Sequence, residues 1–464
     1  MISNGIEIAT SALIAHKYAM DVIGNNIANV NTPGYSRESI VLQTTDPTII
    51  PVISNNKPMA SLGSGVKVSQ IQRIRNEFLD TEKQNLSTTS GEWSQTSQNL
   101  GIVESTFNEP SSTGISAGLN SYWNAWQSVA SPDPSSSAAR TTLVSQGQLL
   151  ANQLSTTRKG LTDLQTSNDK DIVAKVQTIN DLADQIATLN GQIVKSQASG
   201  DANNLLDKRT QLVGQLAGLV NIDYYQDATG SATIGIGGGF LVSNIDVAHI
   251  QAKPDSMNKN FNNVVWADSG KSVSITGGEL FGLIQSRDVK VQSYIDGLDS
   301  LAKSLMSQVN AVHQAGFGLK GETGLNFFVG TNASDMTVNA ELVYDPSKIA
   351  ASGQNVNMSG NGDTAAAIAN IRTKASLNSG STSINDFYQN LISKMGTATS
   401  EAKTKVDMNT AMMTQVDTQI ASVSGVSIDE EMSNMIKFEH AYGAAAKYIA
   451  TVQRTLDDLM AVLK

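Results

Sequence analysis

The four histidines are the first residues whose chemistry could support a metal site or proton transfer. His16, His249, His313 and His440 are far apart in the sequence, and none belongs to an HExxH motif or a similarly close pair. A zinc site would therefore need ligands that converge from distant segments. The sequence also contains no cysteine, no G-x-S-x-G motif and no Walker motif. We expect no catalytic residue, no metal ion and no cofactor, and we predict that the protein is not an enzyme.

Three local groupings suggest chemistry but have simpler structural explanations. The acidic run 429–431 could hold a cation, yet it follows Ser427, a good N-cap residue, and would oppose the positive start of a helix. The glycine-rich run 235–239 lacks the lysine and helix of a phosphate loop, which favours a hairpin turn. Two tryptophans and a tyrosine share the predicted helix 115–129, where a packed core is a more common role than a ligand platform.

Apolar residues at both ends of the chain recur at alternating spacings of three and four, the period of a coiled-coil seam. The N-terminal stripe consists of Ile6, Ala9, Leu13, His16, Met20, Ile23, Ile27 and Val30. The C-terminal stripe consists of Ile428, Met432, Met435, Tyr442, Ala446, Ile449, Leu456, Met460 and Leu463, with Glu439 and Gln453 as polar members. Neither helix can bury its stripe alone, so each needs a partner, either in an ordinary core or in another copy.

A helix-stopping sequence follows the N-terminal stripe. Asn31 and Thr32 can bond the local backbone, while Pro33 disfavours helix at the residue before it. Gly34 then tolerates a positive φ, so the chain can turn back. The run 24–37 that contains these residues resembles the N-terminal sequence of bacterial flagellar axial proteins, which form the rod, the hook and the hook–filament junction.

Composition argues against several classes of function. Of the 464 residues only 16% are charged and 5% aromatic, so the surfaces should be neutral and hydrogen-bonding. A net charge of −10 and an isoelectric point near 5.0 argue against nucleic-acid binding. No run of about eighteen apolar residues occurs, so we expect no membrane insertion. The N-terminal residues do not form a conventional secretory signal peptide.

Between the ends, the patterns predict a mainly α fold with inserted β: an elongated multi-helix rod with terminal coiled-coil helices and a small inserted β domain. Helices are predicted at 76–107, 115–129, 136–197, 203–219, 278–314, 364–376 and 384–422, and strands at 38–44, 66–71 and within 221–276. The helix 136–197 would be about 90 Å long at about 1.5 Å per residue, which is typical of a rod and not of a compact enzyme. The predicted domains are a terminal coiled coil (1–35 with 427–464), the helical rod (36–220, 277–330 and 364–426), the β insert (221–276) and a short loop-rich insert (331–363).

Three further stretches indicate one family among the flagellar axial proteins. The runs 203–212, 310–328 and 424–432 resemble the hook-associated protein 1 family, whose members form the hook–filament junction. The resemblance implies a structural adaptor of the bacterial flagellum, polymerising as a short junction zone between hook and filament and needed for filament attachment. It also implies that an outer β domain of longer relatives, expected near 331–363, is missing or vestigial in this chain.

The same resemblance implies the sites and the partners. The N-terminal assembly residues would be Ile6, Leu13, Met20, Ile23, Ile27, Asn29, Asn31, Thr32, Pro33, Gly34 and Tyr35. The C-terminal assembly and chaperone residues would be Ile428, Met432, Met435, Tyr442, Ile449, Leu456, Met460 and Leu463. The partners would be further copies in a helical polymer, the hook protein, the second junction protein and a cytoplasmic export chaperone. The protein would leave the cell without a cleaved signal peptide and act in the extracellular flagellum.

Two alternatives are weighed against the junction role. One is another flagellar axial subunit of the hook or rod, and the other is a secreted adhesin or enzyme carried on a helical stalk. The long helix 136–197 and the run 428–432 favour the junction family over a hook subunit. Because isolated helices are marginally stable, we predict that both terminal segments are largely disordered in the free chain and become ordered on assembly.

Overall fold

Long helices dominate the computed structural model, which describes residues 2–46, 48–50, 60–197, 202–375 and 381–462. The helices are α1 (Ile2–Ala28), α2 (Glu77–Phe107), α3 (Ile115–Ala130), α4 (Ser137–Gln197), α5 (Asn203–Leu219), α6 (Gly278–Gln285), α7 (Val291–Ala315), α8 (Ala340–Tyr344), α9 (Asp363–Ala369), α10 (Ile384–Ser424) and α11 (Ile428–Val462). The strands are β1 (Glu38–Thr44), β2 (Thr48–Ile50), β3 (Ala60–Leu62), β4 (Val66–Arg73), β5 (Asp223–Gln226), β6 (Ala232–Ile236), β7 (Gly239–Ser243), β8 (Asp246–Val247), β9 (Ile250–Pro254), β10 (Asn262–Trp266), β11 (Phe328–Val329) and β12 (Thr337–Val338). The predicted mainly α fold with small inserted sheets is confirmed.

Helix α4 is the central element of the rod. Its 61 residues are continuous, as the apolar pattern predicts, and span about 90 Å. Its buried stripe contributes to two cores. Residues 143–164 pack with α2, α3, α7 and α10, whereas residues 172–193 pack with α5, α6 and strands β6, β7, β9 and β10. Burial of one stripe along its length explains why so long a helix is stable.

Helices α2 and α10 pack antiparallel through a heptad repeat on each helix. The buried apolar residues of these repeats are Leu79, Leu86, Leu100 and Phe107 on α2, and Tyr388, Met395, Ala402 and Val416 on α10. A salt bridge between Lys83 and Asp417, at 2.6 Å, marks the register. Asn76 caps the start of α2 and Asn108, in the left-handed conformation, caps its end.

The aromatic residues of α3 belong to a core, as the sequence favours. The cluster consists of Tyr122, Trp123, Trp126, Phe327 and Phe328, all almost fully buried. His313 of α7 packs against it, and its Nε2 accepts a hydrogen bond from the Ala350 N–H at 3.0 Å. Burial lowers the pKa of His313 to about 4, so this ring is neutral near pH 7. Its buried, neutral state suits a structural role and not proton transfer.

The segment 331–363 packs into the same core and is not a separate projecting unit. Its buried apolar residues are Ala333, Met336, Val338, Leu342, Ile349, Ala350 and Ala351. The short β11–β12 ladder and α8 hold these residues against α4 and α7. The following helix is shorter than the pattern at 364–376 predicts, because α9 gives way to a 3₁₀ turn at Asn370–Thr373; residue 376 lies outside the described residues.

The structure departs from the predicted elements at two places. In the β insert, the apolar run 273–275 forms no strand. Its backbone contact with β10 is limited to the hydrogen bond from the Val273 N–H to the Val264 carbonyl at 2.9 Å, next to a bridge between Ser272 and Val265. The predicted helix 278–314 contains a π-turn at Ser286–Lys290. There Arg287 turns inward and lies 2.6 Å from Asp169, so the extra residue of the turn is tied to a buried charge pair.

Candidate assembly surface on the paired terminal helices

Helices α1 and α11 lie side by side and run antiparallel. Near one end, Asn26 Nδ2 donates a hydrogen bond to Glu431 Oε2 at 3.0 Å. Further along the pair, ten residues before Asn26 in α1 and seven after Glu431 in α11, the ring centroids of His16 and Phe438 are 5.8 Å apart. The partner that each apolar stripe needs is therefore, in one molecule, the other terminal helix.

The stripe of α1 is buried mainly through small side chains. The buried apolar residues are Ala9, Ala15, Ala19, Val22 and Ile23. Of the predicted assembly residues, Ile23 is buried, and Ile6, Leu13, Met20 and Ile27 are half-buried. The spacing of large residues found the correct side of the helix but missed Ala15 and Ala19, whose small size permits close packing.

Only part of the α11 stripe faces α1. From the predicted set, Met435, Ile449 and Leu456 are half-buried, together with Phe438, Ala441, Ala445 and Val452, which the periodicity did not include. The other predicted residues are exposed: Ile428 by 50%, Met432 by 46%, Tyr442 by 38% and Met460 by 60%. Leu463 lies outside the described residues. We call Ile428, Met432, Tyr442 and Met460 the open row; at about 100° per residue it is turned about a quarter of the helix circumference away from α1.

The loop after α1 is held by short-range hydrogen bonds. The helix ends at Ala28, and Thr32 bonds back to Asn29 through its N–H at 2.9 Å and its hydroxyl at 3.1 Å. Asn31, Thr32, Pro33 and Gly34 are exposed, and Tyr35 is half-buried. Gly34 has φ +79°, and a Cβ there would collide with the side-chain amide of Gln211. The predicted helix stop is confirmed; the assembly role of these residues stays a prediction.

Asn26 joins α1, the loop and α11, although no sequence pattern assigned it a role. Its Oδ1 accepts from the Tyr35 hydroxyl at 2.8 Å and from the Glu38 N–H at 2.9 Å. Its Nδ2 donates to the Glu38 carbonyl at 2.9 Å and to Glu431 at 3.0 Å. Burial, followed by the charges of Glu38, Asp207 and Glu431, raises the pKa of Tyr35 far above its ordinary value, so its phenol stays a donor.

The acidic run at the start of α11 does more than cap a helix. Arg37 Nη1 lies 2.8 Å from Glu430 Oε2, and Arg37 Nε lies 2.9 Å from Glu431 Oε1. Glu431 is only 2% exposed, and a carboxylate is rarely buried to this extent unless it has a partner such as Arg37. The interpretation that helix-cap electrostatics explains this run is therefore incomplete, because two of its carboxylates also bind the arginine that follows the loop.

A third carboxylate, that of Asp207, binds Ser36, the residue before Arg37. Asp207 of α5 accepts from the Ser36 N–H at 2.9 Å and from the Ser36 hydroxyl at 2.6 Å. It also accepts from Arg73 at 2.7 Å. Burial alone would lower the pKa of Arg75, but Asp80 and Asp207 raise it above its ordinary value. These charged residues have no distinguishing pattern in the sequence. Asp207 lies inside the run 203–212, which was the only signal of its role, whereas Arg73 and Arg75 lie in none of the runs that carry the resemblance.

The described parts of the chain contain no group of three or more His, Cys, Asp or Glu side chains placed to hold a metal ion. The histidines do not converge: His249 pairs with Asp184 at 3.0 Å on the surface, while His313 lies in the aromatic core. His16 packs in the helix pair and His440 is exposed. Among the described residues, no helix is both long and apolar enough to cross a membrane.

Three family models match consecutive parts of this chain. The helical domain of flagellar hook-associated protein FlgK matches residues 100–328. The flagella basal body rod protein model matches residues 6–35, and the C-terminal model of the flagellar basal body rod FlgEFG proteins matches residues 418–462. The two basal-body rod models cover α1 with the loop after it, and α11 with the end of α10. The FlgK model covers most of the helical rod of this chain.

Two relatives match almost the whole chain over nearly their full lengths. Flagellar hook-associated protein 1 of Bacillus subtilis is 29% identical, covering 98% of this chain and 97% of that protein. The protein of the same name from Escherichia coli is 24% identical, covering 99% of each. Among solved structures, the flagellar hook junction protein FlgK from Burkholderia pseudomallei aligns with a TM-score of 0.62 at 17% identity, covering 74% of this chain and 100% of the other, a likeness of fold.

Proposed function

Because the chain belongs to the hook-associated protein 1 family of the bacterial flagellum, we propose that it is a structural adaptor that polymerises as a short zone between hook and filament. The filament attaches to this zone and is lost without it. The alternative of a hook or rod subunit is less well supported, since the rod-type matches are confined to the two ends of the chain. The expectation that the chain is not an enzyme stays a prediction.

The observation that carries the proposal is the open row on α11. Its four large apolar side chains are exposed although α11 already has α1 as a partner. Burying the exposed part of one such side chain contributes roughly 1 kcal/mol, and every copy carries the same row. Association of many copies therefore supplies a burial that one molecule cannot achieve.

A neutral flank of α10 supports side-by-side packing of the rods. Between residues 406 and 424 only Asp407 and Asp417 are charged. Met408 and Met412 are exposed on this stretch. Each copy carries a net charge of −10, so copies repel one another, and contact through a face with little charge reduces that cost.

The partners and the location follow from the same proposal. The polymer contacts the hook protein on one side and the second junction protein on the other. Before export, a cytoplasmic chaperone covers the open row, and the chain then leaves without a cleaved signal peptide to act in the extracellular flagellum. Disorder of both terminal segments in the free chain stays a prediction. The hydrogen bonds from Asn26 to Glu431 and to Glu38 favour order at that end of the pair, so we expect the disorder mainly at the remote end.

We also propose the domain organisation of the polymer. The terminal pair (1–35 with 427–464) lines the inside, the rod (36–220, 277–330 and 364–426) forms the next shell, and the β insert (221–276) projects outward. The segment 331–363 replaces the outer domain of longer relatives. The alignment with the Escherichia coli relative extends over 554 residues, more than the 464 of this chain, which supports the absence of such a domain.

The test is the variant Met432→Asp in a strain that lacks the gene. The added charge should block burial of the open row between copies, and it should also weaken the proposed chaperone contact. The variant should therefore not restore attached filaments. Hooks should form, and flagellin should accumulate in the medium, as in the deletion strain. Deletion from Ile428 onward, or Leu456→Asp, should have the same result.

The matched control is Met257→Asp on the β insert, where Met257 is 96% exposed. This variant should restore filaments, because the same chemical change falls outside the proposed inner contact. Full restoration of filaments by Met432→Asp would exclude the open row from assembly.

A further inference from the structure

Ser36 and Arg37 lie between α1 and β1, where the terminal helix pair meets the rod, and these consecutive residues are held from opposite sides. We infer that Asp207 and Glu431 are positioning residues: they hold Ser36 and Arg37 respectively, and thereby fix the orientation of the helix pair on the rod. This inference concerns the free chain and does not depend on the proposed polymer.

Ser36 is fastened to the rod. Its N–H and its hydroxyl both donate to the carboxylate of Asp207, at 2.9 Å and 2.6 Å. The same carboxylate binds Arg73 at 2.7 Å, and its side chain is only 10% exposed. Asp207 lies on α5, whose apolar side is part of the second rod core, so the position of Ser36 is set by the rod.

Arg37 is fastened to the helix pair. Its guanidinium lies 2.8 Å from Glu430 and 2.9 Å from Glu431, both on the first turn of α11. Glu431 also accepts a hydrogen bond from Asn26 of α1 at 3.0 Å. The buried carboxylate of Glu431, on α11, therefore binds both α1 and Arg37.

The return connection from the rod is tied at the same place. Helix α10 ends at Ser424, and the Ser424 carbonyl accepts a hydrogen bond from the Arg37 N–H at 2.9 Å. A hinge needs backbone that is free to change φ and ψ. Here the two connections are bonded to each other, and one is held on both sides, so the pair and the rod should move as one body.

Replacing one carboxylate oxygen of Asp207 should loosen this joint, although Gln211 still donates to the Pro33 carbonyl and Asn203 to the Ile71 carbonyl. In Asp207→Asn, one carboxylate oxygen becomes an NH₂ group. If that group replaces Oδ2 it faces the Ser36 N–H, and if it replaces Oδ1 it faces both the Ser36 hydroxyl and Arg73, so a donor opposes a donor in either orientation. The apolar packing of α1 on α11 and of α5 in the rod does not involve this carboxylate, so both parts should stay folded.

The experiment measures one distance between the two parts in the full chain. The sequence has no cysteine, so spin labels on Lys17→Cys in α1 and Gln98→Cys in α2, both exposed positions, report only the intended sites. Pulsed dipolar spectroscopy should give a narrow distance distribution in the parent. Asp207→Asn should widen it about twofold, with circular dichroism unchanged, because a released hinge samples several orientations.

The matched control is Asp163→Asn, an exposed residue of the rod paired with Lys159; it should leave the distribution narrow. Should Asp207→Asn lose helical content, Ser36→Ala tests the same bond more mildly and should also widen the distribution. A broad distribution in the parent, or a narrow one in both Asp207→Asn and Ser36→Ala, would overturn the inference. Neither result bears on filament attachment, so the proposed function is tested separately.

Discussion

Asn26→Asp provides a sharp test of how the two ends of the chain are joined. The substitution keeps the size of the side chain and the acceptor that binds Tyr35 and the Glu38 N–H. It removes the NH₂ group that donates to the Glu38 carbonyl and to Glu431. In its place a carboxylate oxygen faces a carbonyl and the buried carboxylate of Glu431.

The expected cost follows from the bonds that are lost. A hydrogen bond to a neutral group contributes about 1 kcal/mol and one to a charged group about 2 kcal/mol, so the two together contribute about 3 kcal/mol. Repulsion between the introduced carboxylate and Glu431 adds to this, because Glu431 is nearly excluded from water. We expect the local opening free energy of the helix pair to fall by at least about 3 kcal/mol, a change of roughly a hundredfold in the opening equilibrium.

Hydrogen exchange followed by mass spectrometry measures this opening at the level of peptides. At neutral pH, amides from α1 and from the first turns of α11 should exchange about a hundredfold faster in the variant. Amides of α4, which lies in the rod cores, should be unaffected and serve as the internal reference.

Adding Glu431→Gln to the variant should partly restore protection. The new side-chain amide on α11 can donate to the carboxylate introduced on α1, so the double variant should be more stable than the two single changes predict, by at least about 1 kcal/mol in a double-mutant cycle. Equal exchange in Asn26→Asp and the parent, or strict additivity of the two substitutions, would refute the assigned contact.

Two further predictions test other parts of the structure. Because burial lowers the folded-state pKa of His313 from 6.5 to about 4, the unfolded state binds more protons in that interval, so stability is full above pH 6.5 and falls by about 3 kcal/mol as the pH falls to about 4. His313→Gln should remove this loss, and urea unfolding at neutral and acidic pH should show the difference between the two proteins shrinking; an unchanged difference would contradict a neutral buried ring. Gly34→Ala should destabilise the loop by about 1–2 kcal/mol, since φ is +79° and the Cβ would meet Gln211. Gly24→Ala, in α1 with nothing within 4 Å of the new Cβ, should instead stabilise by up to about 1 kcal/mol; thermal unfolding that ranks the two in the opposite order would refute the reasoning.

Local patterns predicted the elements that depend on local causes. The apolar pattern of α4 predicts its whole length. An α-helix has 3.6 residues per turn, so a helix that is buried along one side carries apolar residues at that period from its first turn to its last. The seven-residue spacing predicted α2 at 76–107, and the helix is found at Glu77–Phe107; its caps, Asn76 and Asn108, are seen in the structure. The π-turn after α6 was not predictable in this way, since it depends on the ion pair of Arg287 with Asp169, far away in the sequence.

The same distinction between local and distant causes applies to the paired terminal helices. The sequence determined that both ends are amphipathic helices, that the first stops before Pro33, and that each needs a partner. Tertiary structure alone decided which side of α11 is covered by α1 and which stays open, because a helix with a broad apolar face offers more than one side for packing.

Tertiary structure alone also decided the polar contacts of the site. Asn26 and Glu431 are 405 positions apart in the chain, and Ser36 and Asp207 are 171 apart. No local spacing rule links such pairs. Each of these residues is of a polar or charged type that is usually found on the solvent-exposed surface. Their burial becomes possible only when the folded chain supplies a hydrogen-bond partner, since an unpaired charge could not be removed from water.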